Sequence, residues 1–394
     1  MLSMPVIAKN NFIQSLVITF LLAFLFLIYV WDETSTFGLV SSIPYFLVLY
    51  FLFFSIGDPI ISDWLRKNLN DEFKKIILFP SLLIIVYYSY LILNDANPFD
   101  GTNFLFPFLI YFPILIFIAR PSKSEEIDWI DFFAFTLFLL PTTLVKFEPS
   151  TTIPFNGNGF DSVYRIVIIL TTVYSFSIVR GIKDIGFYPI FKWKYLGIAL
   201  LSWVLFYSFA MVVGYLTGFM QIVGHDSITS ELLSKIFWGL LTVFLHTAIF
   251  EELFFRGILQ NMLAKRIKQS ANWKIFWNWG LGILIIFSLL VGYTLEGNLQ
   301  WLPALVTIFI FIAANLIEKR SKATIGAFTA MAITSVLFGL VHYHAGSIVY
   351  ISLASIAGWA YGYTYYKTKN VFYSALVHTL VNNTFLIIGI ELLK

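Results

Sequence analysis

The chain has 394 residues, of which 59% are hydrophobic, 19% aromatic and 12% charged. Soluble domains carry about 25% charged residues, so the composition excludes a water-soluble enzyme. The net charge of +3 is too small to indicate a nucleic-acid partner. The absence of cysteine excludes a thiol nucleophile, a disulfide framework and thiolate metal ligands.

In chain order, long apolar runs predict an all-α fold, a polytopic transmembrane helix bundle in contact with the lipid bilayer. We expect about 13 spans, because a span needs about 20 apolar residues and these runs are continuous rather than alternating. The first run is too long for a removable signal peptide and is expected to be an anchor. The expected limits are 11–31, 37–57, 76–94, 103–119, 129–145, 163–179, 195–217, 232–263, 275–293, 300–317, 325–345, 347–366 and 371–392.

The loops predict an orientation. Basic residues such as Arg66 and Lys265 occur in alternate loops, whereas the intervening loops carry acids such as Asp226 and Glu296. Because positive residues favour the cytoplasmic face, we expect the N-terminus inside and the C-terminus outside. The composition, rich in Phe, Ile, Lys and Asn, suits an AT-rich genome and a bacterial inner membrane.

A change in composition near residue 194 predicts two domains. Twelve of the 13 prolines lie at or before Pro189, whereas 16 of the 23 glycines and all five histidines follow residue 194. Glycine favours close helix packing and histidine inside a membrane usually has a function. We expect residues 1–194 to be an accessory bundle of about six helices with a cytoplasmic connector, and residues 195–394 to be the functional domain.

The first polar cluster lies in the segment 246–257. Glu251 and Glu252 project about 100° apart on a helix, and Arg256, four residues after Glu252, can pair with it. Glu251 is then left without a local partner, although an unpaired acid in the bilayer costs a few kcal/mol. The structural alternative is that both acids pair with basic residues on neighbouring helices.

Two further clusters occur in other helices of the same half. Phe338 and His342 share a helix face, as do His378 and Asn382. Each residue alone also suits an interfacial or helix–helix polar contact. Together with a carboxylate they can activate a water and stabilise an oxyanion, which are the parts of an amide-bond hydrolase without a covalent intermediate.

The motifs Glu-Glu-x-x-x-Arg (251–256), Phe-x-x-x-His (338–342) and His-x-x-x-Asn (378–382) resemble those of the CPBP family. This family includes the type 2 CAAX prenyl proteases and the bacteriocin-processing Abi-like proteins. The resemblance covers residues 195–394 and implies an intramembrane endopeptidase acting on a membrane-associated peptide or protein, which CAAX processing would require to be prenylated. The segment 275–317 is then an extra helical insertion.

The resemblance also implies roles for individual residues. Glu251 and His342 would activate the water, and His378 and Asn382 would form the oxyanion hole. The residues that would organise the site are Glu252, Arg256 and Phe338. Members are often classed as metalloproteases, but these residue types better suit a glutamate-activated water, so we expect no cofactor. Zinc is the alternative, with Glu251, His342 and His378 as its ligands.

Two alternative functions remain open. A proton- or cation-coupled transporter would use Glu251 and Glu252 as carriers, but it predicts two matching halves with broken helices. The uneven distribution of proline, glycine and histidine disfavours such halves. A catalytically inactive immunity or scaffold protein of the same family would keep the motifs.

Overall fold

The computed structural model describes residues 6–31, 35–69, 71–93, 97–120, 126–143, 163–320 and 324–393. These residues form 14 helices and one two-stranded sheet. The helices of the first half are α1 Val6–Val30, α2 Thr36–Ser55, α3 Pro59–Leu69, α4 Phe73–Leu93, α5 Gly101–Ala119, α6 Trp129–Thr143 and α7 Val163–Val179. The second half contains α8 Trp193–Leu216, β1 Met220–Ile222, α9 Ser230–Gln269, α10 Lys274–Thr294, α11 Leu302–Arg320, α12 Ala327–Val341, α13 Ile348–Thr368, α14 Val371–Ile388 and β2 Ile390–Leu392.

The predicted all-α polytopic bundle is confirmed. Every one of the predicted apolar segments corresponds to a helix, and α3 is a short additional helix between two of them. Within the described ranges, nine helices are long and apolar enough to cross a membrane, and α5, α6 and α7 contain shorter apolar helices. Helix α13, with 21 residues, accounts for the remaining predicted segment.

The predicted end of the last helix is wrong. Helix α14 stops at Ile388 because Gly389 takes a left-handed conformation with φ of 76°, a common way to end a helix. Strand β2 then pairs antiparallel with β1, Met220 lying opposite Leu392. An apolar run cannot reveal this strand, because its partner lies far earlier in the chain.

The chain divides into two compact units, Met1–Ile190 and Phe191–Lys394, whereas the composition placed the boundary at residue 194. In the first unit, the buried carboxylate of Asp131 accepts hydrogen bonds from the guanidinium groups of Arg120 and Arg180. This unit contains none of the residues of the three polar clusters.

Helix α9 carries the first polar cluster and is irregular around it. Two π-helical segments, Val243–Ala248 and Leu253–Gln260, flank the α-helical turn that holds Glu251 and Glu252. Such π segments are frequent at functional sites, since the extra residue per turn re-aims the side chains. At about 1.5 Å per residue the helix is also much longer than the hydrocarbon core is thick.

Helices α10 and α11, the segment predicted to be an insertion, form a pair that packs against α12. Leu284 of α10 and Phe311 of α11 belong to one buried cluster with Met331 of α12. The carboxylate of Glu318 at the end of α11 accepts hydrogen bonds from the backbone N–H groups of Phe328 and Thr329, capping the start of α12. Helices α10 and α11 therefore support α12, which ends at Val341, next to His342.

Candidate active site

One cavity of about 380 Å³ in the second unit is lined by residues from two of the polar clusters. Phe338, His342, His378 and Asn382 line it together with mostly apolar side chains from α8, α13 and the two strands. The ring of Phe338 lies between the two imidazoles, with centroid distances of 4.7 Å to His342 and 5.5 Å to His378. The second and third clusters are therefore brought together.

His342 and His378 line the same cavity although they lie at different distances from the starts of their helices. Helix α12 begins beside the far end of α9, since a Cβ on Gly326 would lie 2.9 Å from the Ala264 carbonyl oxygen. At about 1.5 Å per residue, His342 lies about 20 Å along α12, and Glu252 lies about as far back along α9. Measured from this contact, His342 and Glu252 lie at similar distances along their helices. Glu252 in turn contacts His378 directly.

The carboxylate of Glu252 is completely buried and joins α9 to α14. Its Oε2 accepts hydrogen bonds from Arg256 Nε at 3.1 Å and from Ser374 Oγ at 2.6 Å, and its Oε1 lies 3.1 Å from His378 Nδ1. The ion pair between Glu252 and Arg256 that the four-residue spacing predicts is present. Arg256 is also completely buried and donates from Nη1 to Thr334 of α12.

The imidazole of His378 is held on three sides. Nδ1 faces the Glu252 carboxylate, the Tyr361 ring stacks on it at 4.7 Å with an interplanar angle of 10°, and Phe338 packs edge-on. Because the carboxylate accepts, Nδ1 carries a proton, and a neutral ring then presents Nε2 as an acceptor. Donation from Nε2 to an oxyanion requires a proton on both ring nitrogens.

His342 is the first residue of a short 3₁₀ turn, His342–Ala345, and is half-buried. Its Nδ1 lies 2.7 Å from the carbonyl oxygen of Phe338, so Nδ1–H donates and Nε2 of the neutral ring is an acceptor. This protonation state suits removal of a proton from water. The neighbouring His344 is exposed.

Glu251 does not line the cavity but lies within electrostatic range of Tyr350 and Tyr361, which do. Its Oε2 is buried and has no hydrogen-bond partner among the described residues. The alternative that a neighbouring basic side chain satisfies this oxygen is not supported. A buried, unsatisfied carboxylate oxygen is costly and is frequent where substrate or water binds.

Asn382 is half-exposed and lies one turn after His378 on the same face of α14. The adjacent Asn383 is buried and donates to the carbonyl oxygen of Thr379. Only Asn382 of this pair therefore faces the cavity, as the helical spacing predicts.

Several residues around Glu252 were not recognised in the sequence. Ser374 precedes His378 by four residues on the same face, so the helical spacing could have revealed it. Tyr361 gave no such signal, because its role depends on the stacking of α13 against α14. Gln260 likewise becomes part of the cluster only through its hydrogen bond to the Gly362 carbonyl oxygen.

The alternative zinc ligands do not form a ligand set. Within the described ranges no three His, Asp or Glu side chains are grouped so as to hold a metal ion. Nδ1 of His378 faces Glu252 and Nδ1 of His342 faces the Phe338 carbonyl oxygen, contacts that leave Nε2 of each ring free. Because Glu251, His342 and His378 are not grouped around one point in this arrangement, they do not fit a zinc site here.

Part of the second unit matches a known protein family. Residues 233–327 and 311–384 match the family model of type II CAAX prenyl endopeptidases, Rce1-like. The second unit contains a domain of the CAAX-type intramembrane protease family. The matched region includes all three motifs, from Glu251 to Asn382, and the family implies a peptidase.

The match to the Rce1-like family includes helices α10 and α11, and its two segments overlap over residues 311–327, from the second half of α11 to the start of α12. No curated protein and no solved structure matches the chain.

Proposed function

We propose that the protein is an intramembrane endopeptidase that hydrolyses a peptide bond of a membrane-associated substrate with an activated water. The single observation that carries the proposal is the convergence of Phe338, His342, His378 and Asn382 on one cavity. Residues 195–394 form the catalytic domain in this proposal, and residues 1–194 an accessory bundle.

In the proposed reaction, a water molecule is activated by two groups: Glu251 is the base that accepts one of its protons, and Nε2 of His342 accepts a hydrogen bond from its other O–H group. The hydroxide oxygen attacks the carbonyl carbon of the scissile bond, and the former carbonyl oxygen becomes an oxyanion. Asn382 Nδ2 and the doubly protonated ring of His378 donate hydrogen bonds to it. When the C–N bond breaks, the amine takes the proton that the base had accepted.

The hydrogen bonds of Glu252 support the assignment of Glu251, rather than Glu252, as the base. Glu252 is fully engaged by Arg256, Ser374 and His378, so it positions other groups rather than reacting. Glu251 retains an unsatisfied oxygen, which suits a base. The proposed mechanism needs no metal ion.

The cavity favours an apolar substrate segment. Its walls include Phe206, Met220, Leu353 and Phe385, and polar groups are few. Such a lining suits a hydrophobic side chain or lipid chain next to the scissile bond.

Comparative proteomics tests the function even while the substrate is unidentified. Membrane fractions of cells with the wild-type chain are compared with cells that carry Glu251→Gln or Glu231→Gln. Glu231 lies exposed on the same helix α9, so its variant is the matched control. We expect uncleaved precursors with Glu251→Gln alone; identical peptide sets for all three chains would overturn the proposal and favour an inactive protein.

A further inference from the structure

A second concave surface in the second unit lies between α8 and α13, with a volume of about 640 Å³. The residues of α8 that line it recur every three or four positions from Lys194 to Phe209, and those of α13 from Ile356 to Lys367. Each helix therefore presents one continuous stripe to the groove. A buried hydrogen bond from Thr364 Oγ1 to Ser202 Oγ joins the two helices beneath it.

The groove is apolar along its length and basic at one end. Leu201, Leu205, Phe209 and Trp359 belong to its walls. Lys194 and Lys367 are both exposed and lie at that end, and neither forms an ion pair with an acid within the described part of the chain. Lys194 lies in the first turn of α8, where free backbone N–H groups also favour an anion.

Two exposed aromatic rings lie next to the basic end of the groove. Trp193 is 76% exposed and Phe191 is 61% exposed, and their rings are 4.9 Å apart. Exposed aromatic rings at a helix end are typical of the lipid headgroup region. From there to Phe209 the groove follows α8 for about 20 Å at about 1.5 Å per residue, a depth that suits an acyl chain.

We propose that this groove binds an anionic glycerophospholipid. The phosphate lies between Lys194 and Lys367, and one acyl chain lies along the apolar stripes of α8 and α13. Basic pockets between transmembrane helices are suited to acidic headgroups. The volume is within the range of ligand sites. The inference is independent of the proposed peptidase function, because none of the candidate catalytic residues lines this groove.

Phe206 lines both the groove and the candidate catalytic cavity. A lipid chain in the groove therefore packs against one wall of the cavity. A bound lipid chain therefore helps to hold Phe206 in place, but it does not enter the candidate catalytic cavity.

Native mass spectrometry of the full chain in a non-ionic detergent tests the proposal. Phosphatidylglycerol is titrated against phosphatidylcholine with the same acyl chains, and the dissociation constant of the first bound lipid is measured. We expect phosphatidylglycerol to bind more tightly, and the double variant Lys194→Ala/Lys367→Ala to weaken it about 30-fold.

Two further variants locate the site. Lys274→Ala/Lys319→Ala removes two exposed lysines at a helix start and a helix end elsewhere in the same unit, and we expect it to bind like the wild type. Ala360→Leu keeps both lysines but fills the groove, and we expect it to weaken binding. The proposal is overturned if Lys194→Ala/Lys367→Ala keeps wild-type affinity, if the two lipids bind equally, or if equimolar inorganic phosphate displaces phosphatidylglycerol.

Discussion

Glu252 and its partners show how single residues define the candidate site. A buried carboxylate is stable only when charged or hydrogen-bonding groups satisfy its oxygens. Here Arg256 and Ser374 satisfy Oε2, and Oε1 fixes the imidazole of His378. The orientation of a candidate catalytic histidine thus depends on residues that do not touch the substrate.

Ser374→Ala tests this dependence. We expect kcat for peptide cleavage to fall about 10-fold with KM unchanged, because a lost hydrogen bond to a charged group costs about 1.5–3 kcal/mol and lets the carboxylate move. Ser374→Thr keeps the hydroxyl and should restore most of kcat. Ser352→Ala, at another buried serine that bonds only its own helix, is the control and should keep wild-type kcat. Equal kcat for Ser374→Ala and wild type would contradict a positioning role.

A double-mutant cycle tests the buried ion pair. Arg256→Met leaves the Glu252 charge buried without its cation, so we expect a loss of about 3–5 kcal/mol in the free energy of unfolding. The double variant Glu252→Gln/Arg256→Met should recover most of that stability but not activity, because His378 has lost its anionic partner. Unfolding of the detergent-purified chain supplies the measurement. A double variant as unstable as the single one would exclude the pair as the cause.

The polar clusters could be recognised in the sequence because charged and imidazole groups within apolar helices carry a free-energy cost. Glu251, Glu252 and His342 could therefore be identified as candidates. Tyr361 could not be, since a tyrosine is ordinary in such helices and only stacking on His378 gives it a role. The catalytic roles themselves stay predictions.

The helices were predictable from the length of the apolar runs, but their irregularities were not. The π segments of α9 arise from backbone hydrogen bonds between residues five apart, for which no side-chain pattern is diagnostic. The strands β1 and β2 are only three residues each and depend on a long-range pairing. Gly389 was the only local signal for the end of α14.

The contact between α12 and α13 positions the helix end that carries His342. Gly339 lies so close to α13 that a Cβ would be 2.7 Å from the Ile351 carbonyl oxygen. We expect Gly339→Ala to lower the free energy of unfolding by about 1–3 kcal/mol, the usual cost of overpacking. Thermal unfolding of the purified chain measures this effect.

Gly282→Ala is the matched control, because a Cβ there meets nothing within 4 Å. We expect it to leave stability unchanged or to raise it by up to about 1 kcal/mol, since alanine favours a helix more than glycine. Equal destabilisation by both substitutions would show that the helix contact is not the cause.

At the scale of the whole molecule, the site is assembled from helices that are distant in sequence. Helices α9, α12 and α14 supply its polar groups, and the pair α10 and α11 packs against α12. Sequence alone could identify the three motifs and the helices that carry them. It could not show whether His342 of α12 and His378 of α14 reach the same cavity, because this depends on where each helix begins relative to α9.

The basic loops predict that the C-terminus lies outside the cell and that the α9–α10 connection lies in the cytoplasm. In a bacterial host, alkaline phosphatase fused after Leu393 should be active, and the same enzyme fused after Gln269 should be inactive. A green fluorescent protein fused at these positions should give the opposite pattern. The reverse outcome would contradict the predicted orientation.

Cleavage of an identified substrate by the purified chain in proteoliposomes measures the proposed water activation itself. We expect Glu251→Gln and His342→Ala each to lower kcat/KM at least about 100-fold. The control variants Glu231→Gln and His344→Ala change exposed residues and should stay near wild type. A strong chelator should leave wild-type cleavage unchanged. Full cleavage by Glu251→Gln would contradict the proposed water activation, and loss of cleavage with the chelator would contradict the metal-free mechanism.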